Sequence, residues 1–463
     1  MSNRPENVLF IVADSLRYDS VAADDRDHFG MPYIGEHSTH FSQARSSGSW
    51  TLPATASMFT GLLPHEHGAT SQTRMIGKSL PTLAEQMREA GYTTIQVTAN
   101  PVTTHIFGLD RGFDRVVRVW KQAMQRHTPF DTLLAIMAKA RLRRKLFTET
   151  EDFVMGRMSD DIEAARAWMQ SNAELQFDQT REFIEECNGR GEPVFIFVNL
   201  METHFPYHID DTFRTSREEW VEKLRELYSL FHYINQTRLI EEEEYVAPDM
   251  LDVLRNRQQR AWSRLAPKVD EFAREMHEDR DNLVLFLSDH GDNFGEQGWQ
   301  YHFSNVTDAG NRVPIWLLEP RQDESREIDE PVSLRDVYGT LLAKTGLGEP
   351  GESVDLTEHP ERSESMLESY WYNRDGKTLE KYRFNQFAFL DGTDKYIRRN
   401  DEWLTSEIAN GAPESDYRPL PPRVDPIEEV EMAEERRSYI RERFEKYDAF
   451  SRNVLEVSPA RTP

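Results

Sequence analysis

The sequence predicts an α/β protein with a mostly parallel central sheet flanked by helices, followed by a small C-terminal α+β subdomain. Two observations carry that prediction. Three continuous apolar runs, Asn7 to Ala13, Pro193 to Leu200 and Asn282 to Ser288, have the length and texture of strands buried on both faces of a parallel sheet. Segments of helical periodicity separate them, and strand–helix alternation is the signature of such sheets.

The elements follow in order. Asn7 to Ala13 is the opening strand and ends at Asp14-Ser15. Leu80 to Ala90 (LPTLAEQMREA) reads as a helix stopped by Gly91, with a short strand, Thr93 to Val97, after it. Residues of about 120–185 and 215–280 read as charge-rich helical insertions in a catalytic domain spanning 1–348, and Glu241 to Glu244 as a solvated face. A Gly/Pro/Glu-rich stretch, Gly346 to Gly351, marks a change of texture. Residues 349–463 form the C-terminal subdomain, with strand-like pieces at Phe387 to Leu390 and Lys395 to Arg398. A Pro-rich loop, Pro419 to Pro426, precedes a charged helix from about Glu428 to Asp448. In open α/β sheets ligands bind beyond the carboxyl ends of the strands. Asp14, Glu202/His204 and Asp289/His290 all fall there.

Composition narrows the classes. The 463 residues carry 81 acidic and 55 basic side chains, a formal charge of −26, yet 25 Phe, 16 Tyr and 9 Trp are too many for a disordered acidic chain. Such an acidic chain lacks the basic footprint that nucleic acids require. Cys187 is the single cysteine, which excludes an internal disulfide framework and a cysteine zinc cluster. No apolar run approaches the ~18 residues of a membrane-spanning helix, and the first residues lack a secretory core. The expectation is a cytoplasmic protein without a membrane anchor. Only 11 of the 55 basic residues are Lys. Excess acid with few lysines is what a high-salt cytoplasm favours, because salt screens the self-repulsion, and this points to a haloarchaeal source.

Four segments can carry chemistry. Asp14, Asp289 and His290 at strand ends form a mixed carboxylate–imidazole set that suits Mn²⁺ or Zn²⁺, whereas an all-oxygen set would favour Ca²⁺ or Mg²⁺. In Ser288-Asp289-His290-Gly291-Asp292, a His between Asp and Gly just after a buried strand has little reason to belong to the core. Ser46 to Gly61 (SSGSWTLPATASMFTG) is a hydroxyl-rich loop running into a helix, whose free N–H groups can seat an oxyanion. Met201 to His208 (METHFPYH) and His302, twelve residues beyond His290, add acid–base or ligand candidates. There is no G-x-S-x-G nucleophile elbow and no G-x-G-x-x-G after the first strand.

Together these segments resemble the sulfatase branch of the alkaline phosphatase superfamily. NVLFIVADSLRYD looks like its opening strand and metal-binding Asp, and WTLPATASMFTGLLPHEHG like its nucleophile loop and helix. AGYTT, RGFD, METHFPY, LFLSDHGDNFGEQG with His302, RVPIWLL, SLRDVYGTLLAKTGL and TDKYIRR follow in family order. The resemblance implies an alkaline-phosphatase-like fold and metal-dependent hydrolysis of sulfate or phosphate esters through a Thr nucleophile. By position, Asp14, Thr51, Asp289 and His290 would hold one divalent metal ion, with Mn²⁺ or Zn²⁺ favoured and Ca²⁺ as a further option. Thr51 would be the nucleophile, with His204 and His302 contacting the transferred group or protonating the leaving oxygen.

The departures from the family refine that expectation. Thr51 cannot become formylglycine, and the x-Pro-x-Arg that follows the formylglycine precursor is replaced by Leu52-Pro53-Ala54-Thr55. Ser15 stands where many sulfatases have a second Asp, and His290 where they have Asn. Asp, Thr, Asp and His together resemble the phosphoryl-transferring relatives. The substrate expected is a small-molecule or glycan sulfate or phosphate ester, with no oligomeric state implied. The alternatives are a transferase or phosphodiesterase acting on a glycan, lipid head group or nucleotide, and an inactive ligand-binding relative.

Overall fold

The computed structural model describes residues 5–119, 173–205, 207, 248–279, 281–302, 305–347, 351–371, 383–408 and 413–456. The central sheet has eight strands: β1 (Asn7–Ala13), β2 (Thr39–Phe41), β3 (Thr93–Thr98), β4 (Arg115–Arg118), β5 (Val194–Leu200), β6 (Leu283–Leu287), β7 (Ile315–Leu318) and β8 (Arg326–Ile328). Their order is β8-β2-β7-β6-β1-β5-β3-β4. Every neighbouring pair is parallel except those made by β7, which runs against both β6 and β2.

The three apolar runs take the centre of this sheet, and their period of two explains their texture. On one face Val8, Phe10 and Val12 of β1 join Phe195 and Phe197 of β5 and Leu283, Leu285 and Leu287 of β6. On the other, Leu9, Ile11 and Ala13 join Val194, Ile196, Val198, Val284 and Phe286. Neither face meets water, so both sets of alternate positions must be apolar.

Helix α1 (Thr51–Thr60) lies on the first face, with Leu52, Ala56 and Phe59 in its core. Helix α2 (Leu83–Glu89) shares that face, started by a Thr82/Glu85 capping box. The second face is covered by α3 (Ala173–Asn188) and α4 (Pro248–Asp279). This corrects the reading of the 120–185 and 215–280 segments as insertions. Their described parts, most of α3 and all of α4, are a layer of the fold: α4 alone gives Trp262, Leu265, Val269 and Phe272 to the core. High surface charge on the outer face of these helices hid the apolar stripe beneath. Residues 120–172 and 215–247 lie outside the described residues.

Helix α5 (Val337–Thr345) returns to the first face and ends at Gly346 in the left-handed region. A five-stranded antiparallel sheet then forms from β9 (Met366–Ser369), β10 (Gln386–Asp391), β11 (Asp394–Arg399), β12 (Glu402–Glu407) and β13 (Arg418–Pro419). Helix α6 (Glu434–Glu456) covers one face through Ile440 and Tyr447, packed with Phe387, Phe389 and Trp403. The other face packs Leu367, Ala388 and Ile397 against Val306 of the main sheet's loops. Among the described residues no helix is long and apolar enough to cross a membrane.

Candidate active site at the carboxyl ends of the sheet

β1, β5, β3 and β6 run in one direction, so their carboxyl ends open at one edge. Asp14 follows β1, Asn100 follows β3, His204 follows β5, and Asp289-His290 follow β6. β7 is reversed, so its amino end, with Asn311 and Arg312, borders the same edge. Helix α1 aims its first turn there. Trp50 is its N-cap, Thr51 its first residue, and every residue of the helix is buried. Gly61 ends it at φ 71°, where a Cβ would also sit 2.8 Å from the Tyr338 ring.

The described atoms converge tightly. Thr51 Oγ1 lies 3.3 Å from His290 Nε2, 3.5 Å from Asp14 Oδ2 and 3.4 Å from Asn100 Nδ2. Asn100 Nδ2 also donates to Asp14 Oδ2 at 2.7 Å, with Asn199 Nδ2 at 3.4 Å. His290 Nδ1 is spoken for: it donates to the Gly291 carbonyl at 3.0 Å, so in the neutral ring Nε2 carries the lone pair that faces Thr51. Gly291 itself is demanded by packing, since a Cβ there would lie 2.2 Å from the Ala309 carbonyl oxygen.

Electrostatics marks the same spot. Asp289 Oδ1 accepts from the Ser15 and His290 amides at 3.2 and 3.0 Å, while its Oδ2 is buried with no hydrogen-bond partner among the described residues. Burial, then the neighbouring charge of Asp14, pushes the Asp289 carboxyl up to about 7. Burial alone would lower His290, but Asp289 and Asp14 outweigh it and the imidazole is raised. Ligand atoms of Asp14, Asp289 and His290 all lie within 4.8 Å of one another. Two carboxylates forced together, an inward carboxylate oxygen and an imidazole Nε2 turned toward them fit a divalent cation.

Beside Asp14 and His290 stand His204, His302, Asp292 and Tyr301. His204 Nε2 is 4.0 Å from Asp14 Oδ1 and 3.4 Å from the Tyr301 hydroxyl. The His302 ring lies 4.6 Å from that of His290 and 5.3 Å from that of His204, centroid to centroid. Asp14, Thr51, His204, Asp289, His290 and His302 therefore share one buried cluster. Glu202 does not join it: its carboxylate accepts the Ala173 amide at the start of α3. His208 lies outside the described residues. Sequence reasoning missed Asn100, Tyr207, Asp292 and Tyr301. Asn100 could have been found by asking which polar residue follows each parallel strand. The others depend on contacts that no local pattern encodes.

The comparisons with known proteins bear on the family and the fold. The family model described as Sulfatase matches residues 6–347. The chain is similar to an uncharacterized sulfatase of Escherichia coli strain K12, 22% identical over 391 residues, covering 76% of this chain and 71% of the relative. It is similar to arylsulfatase K of Xenopus laevis, 21% identical over 381 residues, covering 75% of this chain but 65% of that one. Among solved structures, the phosphonate monoester hydrolase of Agrobacterium radiobacter superposes with a TM-score of 0.59 over 96% of each chain at 15% identity, which speaks for the fold alone.

Proposed function

The chain belongs to the sulfatase family, whose model spans residues 6–347, and on that premise we propose that it cleaves singly charged sulfate or phosphate esters through Thr51 with the help of one divalent cation. The ester-hydrolase class goes with the family. The finer reading rests above all on Thr51, whose hydroxyl sits at the N-terminus of a buried helix within 3.5 Å of Asp14, Asn100 and His290.

Asp14, Asp289 and His290 would hold the cation. Bound there, a divalent ion would neutralise an ester oxygen and favour the ionised form of a nearby hydroxyl. Thr51 Oγ1 attacks phosphorus or sulfur in line, forming one O–P or O–S bond as the bond to the leaving oxygen breaks. The N-terminal amides of α1 and the Asn100 amide group face the charge that gathers on the equatorial oxygens. His204 and His302 stand beside Asp14 and His290, and in its protonated form either would give a proton to the departing oxygen. Water then cleaves the threonyl ester.

The charge of the substrate follows from the neighbours. Asp14, Asp289 and Asp292 place three fully buried carboxylates around the reaction centre. One divalent cation balances most of that charge and leaves little to attract a dianion. Sulfate monoesters, phosphonate monoesters and phosphodiesters carry one negative charge; phosphate monoesters carry two at neutral pH. The expected order for nitrophenyl substrates is sulfate ester or phosphodiester well ahead of phosphate monoester. Thr51→Ala should lower turnover of the best substrate by at least about 10³-fold, and Thr51→Ser should restore most of it. Unchanged turnover in Thr51→Ala would remove the nucleophile assignment.

A further inference from the structure

We infer that Asp292, braced by Tyr207, is a positioning residue that works through His302, fixing the imidazole so that Nε2 rather than Nδ1 is offered to the ester. The inference rests on the reading above that His302 serves the reacting group. Its ground is geometric. Asp292 Oδ1 lies 2.6 Å from His302 Nδ1, and Asp292 Oδ2 accepts the Tyr207 hydroxyl at 2.9 Å. Each carboxylate oxygen thus has its own partner. Asp292 and Tyr207 are fully buried, and His302 is 5% exposed, so these contacts are not traded with bulk water.

The backbone is arranged to keep the contacts. Arg17 Nη1 donates to the Asp292 carbonyl at 3.0 Å, and the Gly291 amide donates to the Gly310 carbonyl at 2.8 Å. Tyr207 reaches Asp292 from a left-handed position, φ 57°. Tyr301, at φ 64°, lays its ring on His302 with centroids 3.7 Å apart. Non-glycine residues in that region are costly and persist where the surroundings enforce them. One of them lies against the imidazole and the other against the carboxylate that holds it. A carboxylate on Nδ1 sets both the tautomer and the ring orientation, as in other sites where a His acts through Nε2.

The same three residues, His290, Asp292 and His302, have ligand atoms within 4.8 Å, the spacing a second cation would use. The 2.6 Å Nδ1···Oδ1 contact and the phenol on Oδ2 favour the hydrogen-bonded role.

A double-mutant cycle on the metal-loaded enzyme tests the inference. His302→Ala, Asp292→Ala and the double variant are assayed with nitrophenyl sulfate and a nitrophenyl phosphodiester, and bound metal is counted by elemental analysis. Asp292→Ala should cost about 10- to 100-fold in kcat with little change in KM. In the His302→Ala background the same substitution should cost less than about 2-fold, and metal per chain should stay constant. Tyr207→Phe, which removes one hydroxyl, should show a smaller loss that also vanishes with His302→Ala; it keeps the test open if Asp292→Ala folds poorly. Losses that multiply in the double variant would overturn the inference, as would loss of a metal ion from Asp292→Ala. A His302→Ala enzyme with full activity would instead remove the role given to His302 itself, and the inference with it.

Discussion

His65 and Glu368 show how much one buried pair can decide. His65 Nδ1 lies 2.6 Å from Glu368 Oε1, the His65 amide donates to Oε2 at 2.9 Å, and the Tyr370 hydroxyl adds a third bond at 2.7 Å. Glu368 belongs to β9, and its own amide bonds the Ser47 carbonyl just before α1. The pair thus ties the C-terminal sheet to the segment that carries Thr51. Burial would lower His65, but the Glu368 charge outweighs it and the pKa is raised above 6.5. A raised folded-state pKa contributes stability that is complete below the unfolded value and fades as pH rises through the folded one. Relative to His65→Gln, the protein should be more stable by about 3 kcal/mol near pH 6. The gap should narrow by pH 9 without closing, because neutral imidazole still donates to Glu368. Denaturant melts of both proteins at several pH values check this, and a gap that ignores pH would refute it. At this same scale, the cluster members legible in the sequence were those whose place follows from an element's end or from the resemblance to the family. Asp14, His204, Asp289 and His290 stand just past strand ends, and Thr51 opens a helix. Asp292, Tyr207 and Glu368 act through partners 10, 85 and 303 residues away, and no pattern along the chain carries such distances.

Helix α4 makes the corresponding case for elements. Its outward charge suggested an appendage, yet it both seals the second face and reaches the site. Gln258, fully buried, donates through Nε2 to the Ser15 carbonyl at 2.9 Å and the Thr203 carbonyl at 3.1 Å. Its Oε1 accepts from Ser20 Oγ at 2.8 Å. Ser15 follows Asp14 and sits at φ 60°, Thr203 precedes His204, and Thr203 Oγ1 donates to the Asp14 carbonyl at 2.8 Å. One amide therefore laces together the loops after β1 and β5. Gln258→Met keeps the volume and removes the bonds, leaving two buried carbonyls unpaired. It should cost about 2–6 kcal/mol in stability, on the order of 1–3 per stranded group, and weaken divalent-cation binding measured by calorimetry. A stable variant with unchanged cation affinity would show that the strand ends hold their shape without α4. Strands β1, β5 and β6 were plain in the sequence because burial on both faces leaves no polar register. α2 was plain because its cap and its stop are local. α4 was not, because a helix with one buried stripe and a charged back looks the same whether it covers a sheet or stands apart.

For the molecule as a whole, the charge of −26 sets two effects against each other. Many arginines are committed to surface pairs, among them Arg115–Glu186, Arg181–Glu275, Arg190–Glu192 and Arg441–Glu428. Salt weakens such pairs, but each contributes only about 0–1 kcal/mol. The surplus of 81 acids over 55 bases repels itself across the entire surface, and the compact state concentrates that repulsion. Raising ionic strength from about 0.1 to 1 M shortens the screening length from roughly 10 to 3 Å, less than the spacing of most surface charges. Relief of the summed repulsion should therefore exceed the loss of pairs. The expected result is a Tm that climbs steeply in KCl up to about 1 M and then levels, as screening saturates. Salting-out of apolar surface would look different, rising without a plateau and more strongly for sulfate than for chloride. Matching KCl and K2SO4 at equal ionic strength separates the two: coincident curves below about 1 M mean screening. A flat or falling Tm in KCl would mean that the acidic surface is not what limits stability, and the high-salt origin inferred from composition would lose its physical basis.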